Sequence, residues 1–236
     1  MTPRIWRRSL AAAGLIAGLL AGPAAGWAQK PGDSPTPAPV AATARADADR
    51  ILSQAGQGAA SRYFSNVTRP GGPATLMHGR SGLICIFDAQ PVRGQLMVYP
   101  ASGGAAEGDD VSCNLMNSAG QGYLETLYAT RYVDGDLQSH FQGAVAEIRA
   151  RFGALEPWRP AMSDASSGDS PPSLTVRYQV MMDGQPTYTR LSMAQVGAWT
   201  VMLRFSAPIG EGEGADQAAT RAFEEAVAQV VRGSAS

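Results

Sequence analysis

The chain of 236 residues carries 19 basic and 20 acidic side chains, which gives a formal net charge of −1. Nucleic acids and anionic membranes attract proteins with a surplus of positive charge, so this balance argues against either as the main partner. The length is sufficient for one sizeable hydrophobic core or two small ones.

The first residues have the composition of an export signal. Arg4, Arg7 and Arg8 form a basic head, an apolar stretch rich in Ala and Gly follows, and Gly26-Trp27-Ala28 offers small residues to a signal peptidase. We therefore predict a signal peptide over residues 1–28 and a periplasmic or secreted protein. An uncleaved anchor and twin-arginine export are the alternatives. After cleavage the chain keeps 16 basic and 20 acidic residues, and no stable membrane insertion is expected.

Three further segments follow the predicted signal. Residues 29–44 hold four prolines and no aromatic residue, a composition typical of a disordered tether. We predict one α+β domain over residues 45–233 and a disordered tail over residues 234–236.

The first half of this domain has mainly a strand pattern. "ARADADRILSQA" predicts a short helix that weakens at Gly56 and Gly58. The next predicted strands are "ATLMHG", "GLICIF", "GQLMVYP", "DVSCNLMN" and "GYLETLYATRYV", which clusters of Gly, Pro and Asp separate.

Two of these strands carry the two cysteines of the chain, Cys85 and Cys113. In an oxidising compartment a lone pair of cysteines is most simply a disulfide. Metal binding is the rival interpretation, but two thiols and the distant His78 and His140 do not form a ligand cluster. We predict the disulfide and neither a metal nor a cofactor.

The disulfide limits how these strands are arranged. It requires Cα atoms within about 7 Å, whereas strands two apart in a sheet lie about 9.6 Å apart. "GQLMVYP" therefore should not lie between the cysteine strands. Either these two strands pair directly, or the bond joins two layers.

A helix and a long loop separate the two halves of the domain. Asp136 is placed to cap a helix that ends at Phe152, and an apolar stripe at helical spacing includes Phe141, Val145 and Ile148. "EPWRPAMSDASSGDSPPS" predicts an exposed loop.

The last seventy residues predict three strands and a closing helix. The strands are "SLTVRYQVMM", "QPTYTRLSMAQV" and "WTVMLRFSAP", and the helix "GADQAATRAFEEAVAQVVRG" should stop at Gly233. We therefore predict an antiparallel sheet with the middle and C-terminal helices packed on its apolar face.

The register of these strands follows from their turns. Asp183-Gly184 favours a two-residue hairpin loop, which places Arg177 opposite Arg190. For the next turn, a three-residue loop around Gly197 is the one that brings Leu203 opposite Leu191 on a single apolar face. This choice places Arg190 opposite Arg204.

The result is a predicted row of three arginines on one face. Like charges directly opposed destabilise a sheet, so the row calls for a negative partner, either a bound carboxylate or phosphate or acidic side chains from another segment. The predicted anion-binding residues are Arg177, Arg190, Arg204, Tyr188 and Ser192.

No catalytic constellation is evident. Neither His78 nor His140 has a nearby nucleophile and orienting acid in sequence, although such groups can assemble from distant positions. The nine methionines fit core filling better than copper binding.

The stretch from Gly122 to Gly233 resembles the PsbP-like α+β domains and small exported bacterial proteins. The resemblance rests on "YLETLYATRYV", the helix that begins "DLQSHF", "YTRLSMAQVGAWTVMLRFSAP" and the closing helix, with Trp199 and Arg204 in a Trp-x-x-x-x-Arg pattern. It implies a non-catalytic accessory or binding module, and it transfers no site residue.

Three functions remain open. The leading one is an exported accessory or binding protein without catalytic activity, whose partner is a small anion or an envelope protein. The alternatives are a hydrolase with a site assembled from scattered residues and a structural envelope protein. A concave pocket with a Ser or Asp beside His78 or His140 would favour the hydrolase.

Overall fold

The computed structural model describes residues 40–88, 94–101, 105–116, 123–160 and 171–234. The predicted signal peptide and the first part of the predicted tether lie outside these residues. Among the helices of the described part, none is long and apolar enough to cross a membrane.

The described residues form three α-helices and ten strands in a mixed order. The helices are α1 (Val40–Gln54), α2 (Leu137–Phe152) and α3 (Gly212–Ser234), with 3-10 turns at Ala55–Arg62 and Ile209–Glu211. The strands are β1 (Phe64–Asn66), β2 (Ala74–His78), β3 (Ile84–Phe87), β4 (Gly94–Val98), β5 (Asp110–Met116), β6 (Leu124–Thr130), β7 (Glu156–Pro157), β8 (Ser173–Met182), β9 (Gln185–Val196) and β10 (Trp199–Pro208).

These strands make two antiparallel sheets. The large sheet has the order β4-β5-β6-β10-β9-β8-β7, and the small sheet has the order β1-β2-β3. The predicted α+β class with an antiparallel sheet is therefore confirmed.

The large sheet is buried on both faces. On one face α3 packs on β10, and α1 and the small sheet share the same core with Val201, Leu203 and Phe205 of that strand. On the other face α2 packs on Leu191 and Met193 of β9. The two helices thus lie on opposite faces, not together on one apolar face as predicted.

Helix α2 forms as its sequence predicts. The carboxylate Oδ1 of Asp136 accepts a hydrogen bond of 2.7 Å from the backbone N–H of Ser139, which is an N-cap. Phe141, Val145 and Ile148 are buried against the sheet. The apolar stripe therefore sets which side of α2 contacts β9.

The first predicted hairpin register is confirmed and the second is wrong. Arg177 lies opposite Arg190 across β8 and β9. Across β9 and β10, however, Trp199 pairs with Val196, so the loop has two residues and Arg204 lies opposite Leu191. Since directly opposed residues share a face, Arg204 and Arg190 project from opposite faces.

The error arises from the assumption of a single apolar face. Because both faces of the sheet are buried, the alternation of side chains along β9 and β10 does not favour one hairpin register over the other. Both registers bury apolar side chains. The turn itself decides, since Gly197 has a φ of +57° at the first loop position. A Gly at that position is typical of two-residue hairpin loops.

The predicted disulfide is present and joins the two sheets. Cys85 on β3 is bonded to Cys113 on β5, and their Cα atoms lie 5.9 Å apart. Of the two arrangements left open by the sequence, the structure has the bond between layers. Strand β4 pairs with β5 alone, so it does not lie between the cysteines.

Both terminal helices exceed their predicted ranges. Helix α1 begins at Val40, so the last five residues of the predicted tether are helical. Helix α3 continues past Gly233 to Ser234. Gly233 therefore does not end the helix. Instead it allows α3 to approach the backbone of Gly82 closely, because a Cβ built on Gly82 would lie 2.7 Å from the Gly233 Cα.

This contact predicts a large difference between two glycine variants. Gly82 and Gly71 both have a φ of +75°, but the Gly71 Cα faces open space. Gly71→Ala should cost about 1 kcal/mol of backbone strain. Gly82→Ala should cost at least about 2 kcal/mol more, because it also displaces α3. Urea unfolding of both variants measures this difference, and equal losses would contradict the packing of α3 on residue 82.

Candidate functional site

The predicted arginine row is replaced by a buried ion-pair cluster under α3. Arg177 Nε and Arg190 Nη1 both donate to Asp216 Oδ1, over 2.6 and 2.9 Å. Asp216 lies in the second turn of α3 and is 4% exposed, and Arg190 is 3% exposed. The negative partner of these arginines is therefore a side chain of the same chain.

The other predicted site residues complete this cluster. The Tyr188 hydroxyl donates to the same carboxylate oxygen, and Arg190 Nε donates to Ser192 Oγ over 2.8 Å. Burial alone would raise the pKa of Asp216, but the hydrogen bonds from Arg177 and Tyr188 together with the charge of Arg190 hold it below its usual value. Tyr188, Arg190, Ser192 and Asp216 are all buried in this cluster, and Arg204 lies on the opposite face.

His78 lies in a second buried polar cluster. Its Nε2 lies 3.1 Å from the carbonyl of Gly108, and its Nδ1 lies 2.8 Å from Ser81 Oγ. His78 and Ser81 are fully buried. With the Nε2–H donating to Gly108, Nδ1 accepts from the Ser81 hydroxyl. A serine and an imidazole are therefore paired here, and neither side chain is exposed to solvent.

Burial of His78 predicts a pH-dependent stability. Burial lowers its pKa from 6.5 to about 4. Between these values the unfolded chain binds more protons, so the contribution of His78 is complete above about pH 6.5 and is lost as the pH falls towards 4, by about 3 kcal/mol. Glu125 acts in the opposite direction, because burial raises its pKa to about 7. Urea unfolding of Glu125→Gln at pH 4.5 and 6.5 therefore measures the loss of stability in acid without the opposing effect of Glu125, and NMR titration of His78 near pH 6.5 in the folded protein would contradict this account.

A concave surface with both aromatic and charged side chains lies between α2 and strands β5, β6 and β10, and we name it the α2 cleft. Its volume is about 470 Å³. Its aromatic and charged lining residues are Tyr99, Tyr128, Tyr132, His140, Asp110, Glu147 and Arg204. Strand alternation brings Tyr128 and Arg204 to this face of the sheet, and α2 carries His140 and Glu147 over it.

Two pairs of stacked rings form the aromatic surface of the cleft. The Tyr132 ring and the His140 imidazole are nearly parallel, with centroids 3.8 Å apart. Tyr99 and Tyr128 are also nearly parallel, at 6.5 Å. Tyr132 is 36% exposed, so part of its ring is accessible to a ligand.

Arg204 crosses the sheet side of the cleft. Its Nη2 donates to Glu147 Oε2 over 2.6 Å, and its guanidinium carbon lies 5.8 Å from the Tyr128 ring centroid. Arg204 Nε and His140 Nε2 are the two side-chain polar atoms of the described residues that are buried without a hydrogen-bond partner. A buried group in this state costs about 1–3 kcal/mol, so a polar group that reached either atom would gain a hydrogen bond there.

Burial keeps the phenols of Tyr128 and Tyr132 in their neutral forms. Burial raises the pKa of Tyr128 to about 12, and burial with the charge of Asp110 raises that of Tyr132. Both phenols therefore keep their protons near neutral pH and donate hydrogen bonds. Burial also raises the pKa of Asp110, although its hydrogen bond from Thr130 opposes this.

The α2 cleft thus combines flat aromatic surfaces with hydrogen-bonding groups that include both acidic and basic side chains. Asp110 and Ser139 line the same cleft as His140, which is the arrangement that the hydrolase alternative requires in outline. Among the described residues, however, no hydroxyl or carboxylate is hydrogen-bonded to the His140 ring. The described residues of the cleft therefore hold no hydrogen-bonded pair of a nucleophile and a histidine base.

Sequence reasoning named Arg204 and His140 but did not bring them together. The aromatic residues Tyr99, Tyr128 and Tyr132 were not recognised as a group, because Tyr99 follows β4 whereas Tyr128 and Tyr132 lie on and after β6, with β5 between the two strands. The signal that would have helped is the Gly197-Ala198 turn, since the two-residue loop turns Arg204 towards α2.

Comparison with known proteins gives no family for this chain. No family model matches it, and no curated protein matches it. One solved structure, a protein of unknown function from Pseudomonas aeruginosa, aligns over 55% of this chain and 78% of its own, at 10% identity and a TM-score of 0.34. The functional interpretation therefore depends on the geometry of the clefts.

Proposed function

We propose that this chain is an exported binding protein without catalytic activity that holds a small polyhydroxylated molecule, such as a saccharide unit, in the α2 cleft. The basic head and small-residue cleavage pattern of residues 1–28 support export. The bond between Cys85 and Cys113 fits an oxidising compartment such as the periplasm.

One observation carries the proposal. In a single cleft, an accessible stacked ring at Tyr132 adjoins two buried nitrogen atoms, on Arg204 and His140, that lack partners among the described residues. A ligand that covers the ring and hydrogen-bonds both nitrogen atoms would remove two unsatisfied groups at once. Ligand sites typically combine aromatic walls with such a small number of convergent polar groups.

The charges of the cleft favour a neutral polar ligand. Asp110 and Glu147 accept hydrogen bonds, whereas Arg204 and the phenols donate them. A sugar hydroxyl both donates and accepts, and the C–H face of a sugar ring packs on a flat aromatic ring. A simple anion would meet two carboxylates, and an apolar molecule would leave the polar groups unpaired.

Calorimetry with glucose, N-acetylglucosamine and their β-linked disaccharides tests this proposal. We expect at least one of them to bind, and Tyr132→Ala to weaken its affinity about tenfold, since a stacked ring contributes about 0.5–1.5 kcal/mol. The matched control is Val133→Ala, which changes the neighbouring residue, 70% exposed. Binding that is unaffected by Tyr132→Ala, or no binding by any member of the panel, would refute the proposal.

A glycoside hydrolase is the second candidate, because the cleft holds two carboxyl groups in different environments. Burial raises the pKa of Asp110, as in a general acid, whereas Glu147 is ion-paired with Arg204. The same disaccharides incubated with the protein distinguish the candidates. Monosaccharide release that Asp110→Asn and Glu147→Gln each abolish would favour the hydrolase over the binding protein.

A further inference from the structure

A second cleft lies on the opposite face of the large sheet, between the free edge of β3 and helix α3. Its volume is about 280 Å³. Ile84 and Ile86 form one wall, alanines of α3 form the other, and Leu127 and Phe205 lie on its floor. This cleft, which we name the α3 cleft, is therefore mainly apolar.

Its polar residues are three with carboxylates, one with an amide and Tyr123. Gln229 is occupied, because its Oε1 accepts from the Ile84 N–H over 2.9 Å. Glu225 is paired with Arg232 over 3.1 Å. Glu125 on the floor and Asp88 at the end of β3 have neither a hydrogen-bond nor an ion-pair partner in the part of the chain that the structure describes.

Glu125 is held in an unfavourable environment for a carboxylate. Strand pairing places it between Leu115 and Phe205 on the face that α3 covers. Burial raises its pKa to about 7, and the negative charge of Asp88 adds to this. A cation between Glu125 and Asp88 would offset both effects, whereas an anion would add to the repulsion.

We propose that the α3 cleft binds a small apolar molecule that carries a protonated amine, with the ammonium group between Glu125 and Asp88 and the apolar part against Phe205 and α3. The carboxylates that line the cleft favour a ligand with a positive charge, and the apolar walls favour a ligand whose remaining part is apolar. This site lies on the other face of the sheet from the α2 cleft and does not depend on the proposed function.

Binding should be linked to protonation of Glu125. The ammonium group interacts with the ionised carboxylate, so binding releases a proton below about pH 7 and affinity should rise as the pH increases from 6 to 8. The charged and titratable groups that face Glu125 are Asp88 after β3, Tyr123 before β6 and Glu225 on α3. Each is neutral or negative, so none competes as a cation.

Three ligands with one carbon skeleton test the proposal on the whole protein. Benzylamine, benzyl alcohol and benzoate differ in charge but share the ring. We expect NMR titration to show benzylamine binding at pH 8, about tenfold more weakly at pH 6, with weaker binding of the alcohol and none of benzoate. Glu125→Gln should reduce benzylamine affinity at pH 8 at least about tenfold.

Two further variants separate a loss of binding from a loss of folding. Asp88→Asn alters an exposed residue and should reduce benzylamine affinity without affecting the fold, and Glu224→Gln, an exposed α3 residue outside the cleft, should leave affinity unchanged. Benzyl alcohol binding as tightly as benzylamine would show a purely apolar site and overturn the proposal. Absence of benzylamine binding at pH 8, or unchanged affinity in both Glu125→Gln and Asp88→Asn, would also overturn it.

Discussion

Asp216→Ala should destabilise the fold by about 3–5 kcal/mol, because it leaves the buried Arg190 without its carboxylate partner and removes the ion pair of Asp216 with Arg177. Arg190 is 3% exposed, and its guanidinium also donates to Thr220 and to the Asp216 carbonyl, so it cannot turn out to water without displacing α3. The loss is therefore expected in the equilibrium free energy of unfolding. Urea unfolding monitored by circular dichroism measures it.

Glu147→Ala is the matched control for Asp216→Ala. Glu147 also pairs with an arginine of the sheet, Arg204, but its side chain is 70% exposed. Exposed ion pairs contribute about 0–1 kcal/mol, so this variant should unfold close to wild type. If Asp216→Ala lost no more stability than Glu147→Ala, the cluster would not be an essential part of the core.

Removal of the disulfide should have a comparable effect. The bond spans 28 positions and joins the two sheets, so the double variant Cys85→Ala/Cys113→Ala should lose about 3–4 kcal/mol, mainly because its unfolded chain is less restricted. Alanine avoids the burial of a hydroxyl, since both cysteines are fully buried.

Reduction of the wild type provides the control for this variant. A reducing agent should lower wild-type stability by a similar amount and leave the double variant unchanged. Mass spectrometry of the wild-type protein, purified without a reducing agent, adds an independent readout. Two free thiols would contradict both the disulfide and the inference of an oxidising compartment.

The local structure could be predicted because each segment carries its own signals. Asp136 caps α2, and Asp183-Gly184 sets the first hairpin, in which Arg177 faces Arg190 as expected. These features depend on neighbouring residues, so the sequence pattern is sufficient to identify them. The short Cα–Cα distance that a disulfide requires likewise restricted the two cysteine strands to two arrangements.

The features that the sequence predicted wrongly, or did not predict, depend on segments that are distant in the chain. Whether Arg204 shares a face with Arg190 depends on one residue in a turn, and the apolar pattern of β10 fits both registers because both faces are covered. Nothing in the sequence near Arg190 identifies Asp216 as its partner, since 26 positions separate them. The α2 cleft was missed for the same reason, because its residues meet only after the sheet and α2 pack.

The most direct test of the α2 cleft as the binding site is NMR observation of the arginine Nε–H groups during titration with the saccharides named above. The Arg204 Nε–H has no partner among the described residues, whereas the Arg190 Nε–H is bonded to Ser192 on the opposite face. We predict that the Arg204 signal and the His140 ring signals shift with a common affinity while the Arg190 signal stays fixed. A shift of the Arg190 signal with no change at Arg204 would contradict both the assignment of faces and the proposed function.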